Sequence, residues 1–185
     1  MTLTLGFDSS AAHCAAALLK DGVVIARHSE DMSRGQAERL MPMLEELLAA
    51  QGVGWPDLTR IGVGTGPGNF TGIRIAVAAA RGLALSLGIP ALGVTTFEAI
   101  RMDAQGAAAV PAPQGLYHVE GQVGQIRTVA METLNGATLP PEPAELAVRI
   151  ARLASVKVPG ARPAPLYLRP ADAAPARDAP PTILT

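Results

Sequence analysis

Gly62-Val63-Gly64-Thr65-Gly66-Pro67-Gly68-Asn69-Phe70-Thr71-Gly72 joins a short apolar strand to a long apolar helix. A helix N-terminus behind a glycine loop offers free N–H groups and a positive dipole end to an anion. The spacing nevertheless fails both standard phosphate tests. No Lys-Ser/Thr pair ends the loop, no Gly-x-Gly-x-x-Gly triple occurs, and no acidic residue follows about 20 positions on. The stretch therefore reads as a tight strand-to-helix turn, with glycine permitting positive φ and close packing.

Downstream, the spacing predicts a helix over residues 69–87, with Asn69 or Thr71 as cap and Gly88 as stop. Gly72, Ala76, Ala80 and Ala84 recur every fourth residue as a ridge of minimal side chains, flanked by Ile73, Val77, Leu83 and Leu87. Apart from Arg74, Arg81 and Ser86 this helix is apolar nearly all round, a pattern expected of a helix covered on more than one side.

Upstream, Leu3, Leu5 and Phe7 alternate as a strand that ends at Asp8-Ser9-Ser10. Residues 14–19 and 23–27 flank Asp21-Gly22, a pair that favours a type I′ turn, and read as a hairpin. Ser33 to Gln36 matches a capping box, followed by Ala37, Leu40, Met41, Leu44, Leu47 and Leu48 at helical spacing, with Gly52 as stop. Pro42 is expected to kink that helix, because it lacks an N–H and crowds the Glu38 carbonyl. Short strands follow at 60–63 and 90–94, and a short helix at 97–102. This is an α/β plan, with helices covering a mixed sheet.

From about residue 103 the composition changes. Twelve of the 16 prolines lie from Pro111 onward, which rules out a long regular sheet there. Strands at 116–122 and 125–131 and a helix at 143–155 are expected, then an extended tail after Val158 whose last residues are disordered. The chain divides into residues 1–102 and 103–185.

Composition narrows the function. Hydrophobic residues make up 49% and charged ones 17%, below the roughly 25% usual in soluble domains, which points to a surface partly covered by another protein. With a net charge of −1 and no basic run, nothing marks a nucleic-acid-binding module. The longest apolar stretch, residues 73–89, contains Arg74 and Arg81, short of the roughly 18 uncharged residues of a membrane span. The start lacks a basic n-region and cleavage site, and the single cysteine points to a reducing compartment, so a cytoplasmic setting is expected.

Candidate chemistry is thin. Asp8, ending the first strand, stands where α/β folds place a metal- or phosphate-facing carboxylate; it serves equally as a cap for the Ser9-Ser10 turn. His13 and Cys14 are strand neighbours facing opposite sides, so they cannot pair as base and nucleophile. His13, His28 and His118 lack metal-site spacing, and no Gly-x-Ser-x-Gly occurs. No cofactor or metal is expected.

The run from Gly66 to Ile75 resembles the Gly-Pro-Gly-Ser-Phe-Thr-Gly-[Leu/Val]-Arg-Ile signature of the TsaB (YeaZ) family of tRNA threonylcarbamoyladenosine biosynthesis. Phe7-Asp8-Ser9-Ser10, Leu40-Met41-Pro42-Met43, Gly93-Val94-Thr95-Thr96 and Pro165-Leu166-Tyr167-Leu168-Arg169-Pro170 are similar to other family motifs. Asn69 replaces the usual Ser, Gln36 the His of many members, and Ala109-Val110-Pro111-Ala112-Pro113 the usual Ile-Asp-Ala-Arg stretch.

The resemblance implies an actin/hexokinase-like (ASKHA) α/β fold of two lobes, the second shortened, and a role without chemistry of its own. It implies pairing with the catalytic subunit TsaD, with the ATPase TsaE completing the assembly, and a homodimer when the chain is alone. tRNA would be met only through the complex, and no membrane is involved. The pairing would use the helices at 36–51 and 69–87, with Leu40, Met41, Leu44, Leu48, Gly72, Ile73, Ala76, Val77, Ala80 and Ala84 as interface candidates. The alternative is a stand-alone nucleotide hydrolase or glycoprotease-like peptidase using Asp8 and the glycine segment.

Overall fold

A computed structural model describes residues 1–121 and 124–168. Five strands form one sheet: β1 (Leu3–Asp8), β2 (His13–Lys20), β3 (Val23–Asp31), β4 (Arg60–Gly64) and β5 (Ala91–Val94), in the order β3-β2-β1-β4-β5. The first three pair antiparallel as a meander, and β1-β4-β5 are parallel. The β2–β3 turn has Asp21 at φ 48° and Gly22 at φ 82°, the two positive values a type I′ turn requires.

Side-chain alternation divides this sheet into two buried faces. Leu3, Leu5 and Phe7 of β1 and Cys14, Ala16 and Leu18 of β2 face one side, where α1 (Gln36–Ala49) and α2 (Phe70–Leu87) cover them. Ala15, Ala17 and Leu19 face the other side, against Ala147, Val148 and Ala151 of α4 (Pro143–Val156). Both faces of β2 are covered, which is why its sequence is a continuous apolar run.

The approach of α4 is close. Gly6 of β1 and Gly62 of β4 are register partners, and a Cβ on Gly6 would lie 2.6 Å from the Ala151 Cβ, one on Gly62 2.7 Å from the Ala154 Cβ. The two glycines form a trough that receives the alanines of α4. Arg60 fastens the far end, donating from Nη1 to the Ala154 and Lys157 carbonyls at 3.2 and 2.8 Å.

A smaller antiparallel sheet holds β6 (Ala108–Pro111), β7 (Leu116–Glu120) and β8 (Ile126–Ala130). Between the sheets lies α3 (Thr96–Ile100), capped by Thr95, whose Oγ1 accepts from Glu98 N while Glu98 Oε2 accepts from Thr95 N. The expected division near residue 103 does not account for α4, which comes from the second half but covers the first sheet. The expected extended, disordered tail beyond residue 168 lies outside the described residues, as does Gln122 of the expected 116–122 strand.

One local expectation needs adjustment. The cap of α1 is Gly35 at φ 89°, not Ser33, and Gln36 uses Nε2 to donate to the Met32 carbonyl instead of closing a capping box. Residues 36–49 form one helix with Pro42 inside it. By contrast α2 is capped as its sequence reads: Asn69 Oδ1 accepts from Gly72 N at 3.0 Å, and Gly88 closes the helix at φ 67°.

Candidate functional site

The ridge of α2 points inward. Gly72, Ile73, Ala76, Val77 and Ala80 are buried against the sheet and α1, as are Leu40, Leu44 and Leu48 of α1. A Cβ on Gly72 would overlap the Ser9 carbonyl oxygen, and the Ser9 hydroxyl donates to the Gly72 carbonyl at 2.8 Å. The small residue at this position is thus demanded by the β1–β2 loop. Of the ten interface candidates only Met41 and Ala84 are partly exposed. This corrects the choice of face: the other eight belong to the chain's own core, because a minimal ridge seats a helix on a sheet as readily as on a partner.

The outer face of α2 has its own pattern. Thr71, Ile75, Ala78, Gly82 and Leu85 follow one another at spacings of four and three, the seam of a helix packed lengthwise on another. Thr71, Ala78, Gly82 and Leu85 are exposed, Leu85 to 81%, and nothing lies within 4 Å of a Cβ built on Gly82. By length and composition α2 is apolar enough to cross a membrane, yet its inner residues pack into the core of the sheet.

At the N-terminal end of this face a short strap, residues 163–168, crosses back. Leu166 N donates to the Thr65 carbonyl at 2.8 Å. The Tyr167 ring lies 4.7 Å from that of Phe70, and the Arg74 guanidinium sits 3.8 Å above Phe70 while its Nε donates to Tyr167 Oη at 2.8 Å. Stacking and the hydrogen bond hold Arg74 extended over the surface. Sequence spacing could not join positions 74 and 167.

The second candidate, Asp8, is fully buried. Its Oδ2 accepts from Ser10 N and Ser10 Oγ, each at 2.9 Å, and lies 2.8 Å from His13 Nε2. Its Oδ1 has no hydrogen-bond partner and sits against Gly64, which has no room for a side chain. The turn-capping role is therefore realised, and the carboxylate does not reach solvent. Sequence reasoning missed His13 as its partner, since the pair closes only across the β1–β2 loop. Cys14 faces the opposite side, in the core, where burial first and then the Glu30 and Asp8 charges push its thiol up to about 11.

His13 also lines a cleft of about 470 Å³ between the sheets, with Ser10, Asn69, Thr96, Pro111 and Leu139. The other two histidines sit apart, His28 against Glu30 Oε1 at 3.1 Å and His118 against Thr128 Oγ1 at 3.0 Å. Among the described residues no group of three His, Cys, Asp or Glu side chains is arranged to hold a metal.

Comparison with known proteins bears on this arrangement. The family model described as TsaD, tRNA N6-adenosine threonylcarbamoyltransferase, matches residues 24–169. The tRNA threonylcarbamoyladenosine biosynthesis protein TsaB of Escherichia coli (strain K12) is 39% identical over 103 residues, 56% of this chain and 43% of that protein. TsaB of Bacillus subtilis (strain 168) is 31% identical over 132 residues, 71% of this chain and 56% of that protein. The chain thus spans about half the length of the curated relatives it matches. A crystal structure from Pseudomonas aeruginosa, described as similar to peptidase YEAZ, superposes with TM-score 0.72 at 27% identity, covering 91% of this chain and all of that one. With the mixed sheet, the helices on both its faces and the second small sheet, this is an actin/hexokinase-like (ASKHA) α/β fold. The chain belongs to the family described by the TsaD model and, within it, to the TsaB (YeaZ) group.

Proposed function

We propose that this chain is the non-catalytic subunit of the assembly that places a threonylcarbamoyl group on the adenosine beside the tRNA anticodon. It binds and supports a TsaD catalytic chain, with the TsaE ATPase joining the assembly. It pairs with itself when the catalytic chain is absent, meets tRNA only through the complex, and acts in the cytoplasm.

The observation that carries this reading is the outer face of α2. Along its seam the exposed positions are Thr71, Ala78, Gly82 and Leu85, small or aliphatic, on a helix that leaves a Leu 81% exposed. Such a seam admits another helix at short range, and an exposed apolar face of this kind marks a protein contact. The inner residues cannot serve, being already packed. The burial of Asp8 supports the accessory role, because a carboxylate sealed beneath Ser10, His13 and Gly64 does not reach a substrate.

The test is co-purification with the TsaD chain of the same organism. Ala78→Arg or Gly82→Arg places a long cation on the seam and is expected to weaken the complex by about 2–3 kcal/mol. The isolated Ala78→Arg chain should stay within about 0.5 kcal/mol of wild type because the site is exposed, and Gly82→Arg, which removes a mid-helix glycine, should be no less stable than wild type. Full recovery of the complex with both variants would remove the seam from the interface.

A further inference from the structure

The cleft of about 470 Å³ between the sheets is of the size that holds a small molecule, and its walls come from opposite halves of the chain. The β1–β2 loop and the start of α2 form the first wall, which is fixed. Asn69 N donates to the Ser10 carbonyl at 2.6 Å, and a Cβ on Gly68 would lie 2.2 Å from that same oxygen, so the two loops meet backbone to backbone. The second wall is apolar: Leu139, Pro140, Pro141 and Pro143 stand there beside Val110 and Pro111 of β6.

The charge of the lining limits what the cleft can hold. No Lys, Arg, Asp or Glu is among the described residues that line it. A phosphate or carboxylate would give up water there with no cation to meet it, and the buried Asp8 carboxylate beside His13 would repel it. The N-terminus of α2 does little to offset this, because Asn69 Oδ1 already occupies the Gly72 N–H. Two polar groups remain unspent. Asp8 Oδ2 accepts from Ser10 N and Oγ, and an ionised carboxylate only accepts, so the His13 nitrogen 2.8 Å from it, Nε2, carries the ring proton. That leaves Nδ1 of the neutral ring as an acceptor, and among the described residues it has no partner. Asn69 is the converse: with Oδ1 taken, its Nδ2 is a donor without a partner among those residues.

We infer that the cleft binds an uncharged ligand made of a secondary amide on a compact aliphatic body. The amide N–H donates to His13 Nδ1, the amide carbonyl accepts from Asn69 Nδ2, and the aliphatic part lies on the proline wall. Proline rings have no side-chain rotamers to lose when a ligand settles on them. Asp8 acts here as a positioning residue, since it fixes the tautomer that turns His13 into an acceptor. The buried Asp8–His13 pair, which an accessory subunit does not need for chemistry, thereby gains a use. The cleft is separate from the seam on the outer face of α2, so loss of either proposal leaves the other standing.

The probe is N-methylisovaleramide, titrated into the whole chain and followed by proton–nitrogen correlation NMR. Saturable shifts are expected at Ala11, Ala12, Gly68 and Thr96, and none at Ala78 or Gly82 on the outer face of α2. N,N-dimethylisovaleramide lacks the N–H and should bind about tenfold more weakly, which reads His13 without mutating a buried residue. Isovalerate and AMP, which carry charge, should bind more weakly still. Leu139→Arg changes a side chain that is 44% exposed and should weaken the amide at least about tenfold, with the rest of the spectrum unchanged. A blocked pentapeptide centred on leucine decides the source of the amide: tighter binding than the probe assigns the cleft to a peptide segment, weaker binding to a free small molecule. Shifts that do not saturate or that fall outside the cleft overturn the inference. So does equal binding of the dimethyl compound or of AMP, or a Leu139→Arg chain that binds as wild type does.

Discussion

Cys14 and Glu30 show how single residues here are set by what lies behind them. Burial holds the Cys14 thiol neutral, with a value raised from 9.0 to about 11. A raised folded value contributes stability that is whole below pH 9.0 and is lost as pH climbs towards 11. At pH 8 the native chain should therefore resist a thiol alkylator that labels the unfolded chain within minutes, as mass spectrometry would register. Glu30 moves the other way: hydrogen bonds from Arg39 and then His28 lower it from 4.5 to about 2. Its contribution is complete above pH 4.5 and disappears as pH falls towards 2. Glu30→Gln should flatten the acid limb of a stability–pH curve in that window. The Asp8–His13 contact was illegible at this scale, because sequence gives only the alternation of β2 and not the loop that folds His13 over Asp8. Gly72→Ala, which drives a methyl into the Ser9 carbonyl, should cost about 1–3 kcal/mol in a denaturant titration.

At the scale of elements, sequence spoke clearly wherever a local rule decides. The Asp21-Gly22 turn, the Asn69 cap and the Gly88 stop all stand as expected, since each needs only its own few residues. The face of α2 was not legible. A repeat of Gly72, Ala76, Ala80 and Ala84 fits any close neighbour, and which neighbour it meets depends on the fold. β6 was also missed: Ala108–Pro111 offers one β-branched residue and ends in proline, so its pairing with β7 supplies the strand, not its propensity. Gly82 gives this scale its prediction. It lies exposed in mid-helix with nothing near its absent side chain, so Gly82→Ala should stabilise the monomer by about 0.5–1 kcal/mol. A raised melting temperature with unimpaired partner binding would show that an added methyl fits the seam; weakened binding would show that the partner approaches to backbone distance.

For the whole molecule, burial is distributed unevenly. β1, β2 and β4 are covered on both faces, whereas Ile126, Arg127, Thr128 and Ala130 of β8 are exposed. Native-state hydrogen exchange should find β8 amides opening at far lower free energy than those of β1 and β4. The α/β plan was readable because strand and helix periods are local properties. The return of α4 to the first sheet was not, since no pattern within residues 143–156 says which of two sheets it will cover. That apolar stripe could be drawn from sequence, but its destination is a tertiary fact.

The trough of Gly6 and Gly62 beneath Ala151 and Ala154 ties distant parts of the chain into one inheritable unit. A helix grafted onto this sheet from a relative would seat only if it brought alanine or glycine to both contact positions. Conversely, a side chain introduced at Gly6 would meet the Ala151 amide nitrogen and the Ala147 carbonyl oxygen as well as the Ala151 Cβ, so no smaller residue at 151 makes room for it. Among homologous chains whose helix returns to this face, position 6 should therefore stay glycine whatever stands at 151, because the helix backbone itself fills the space.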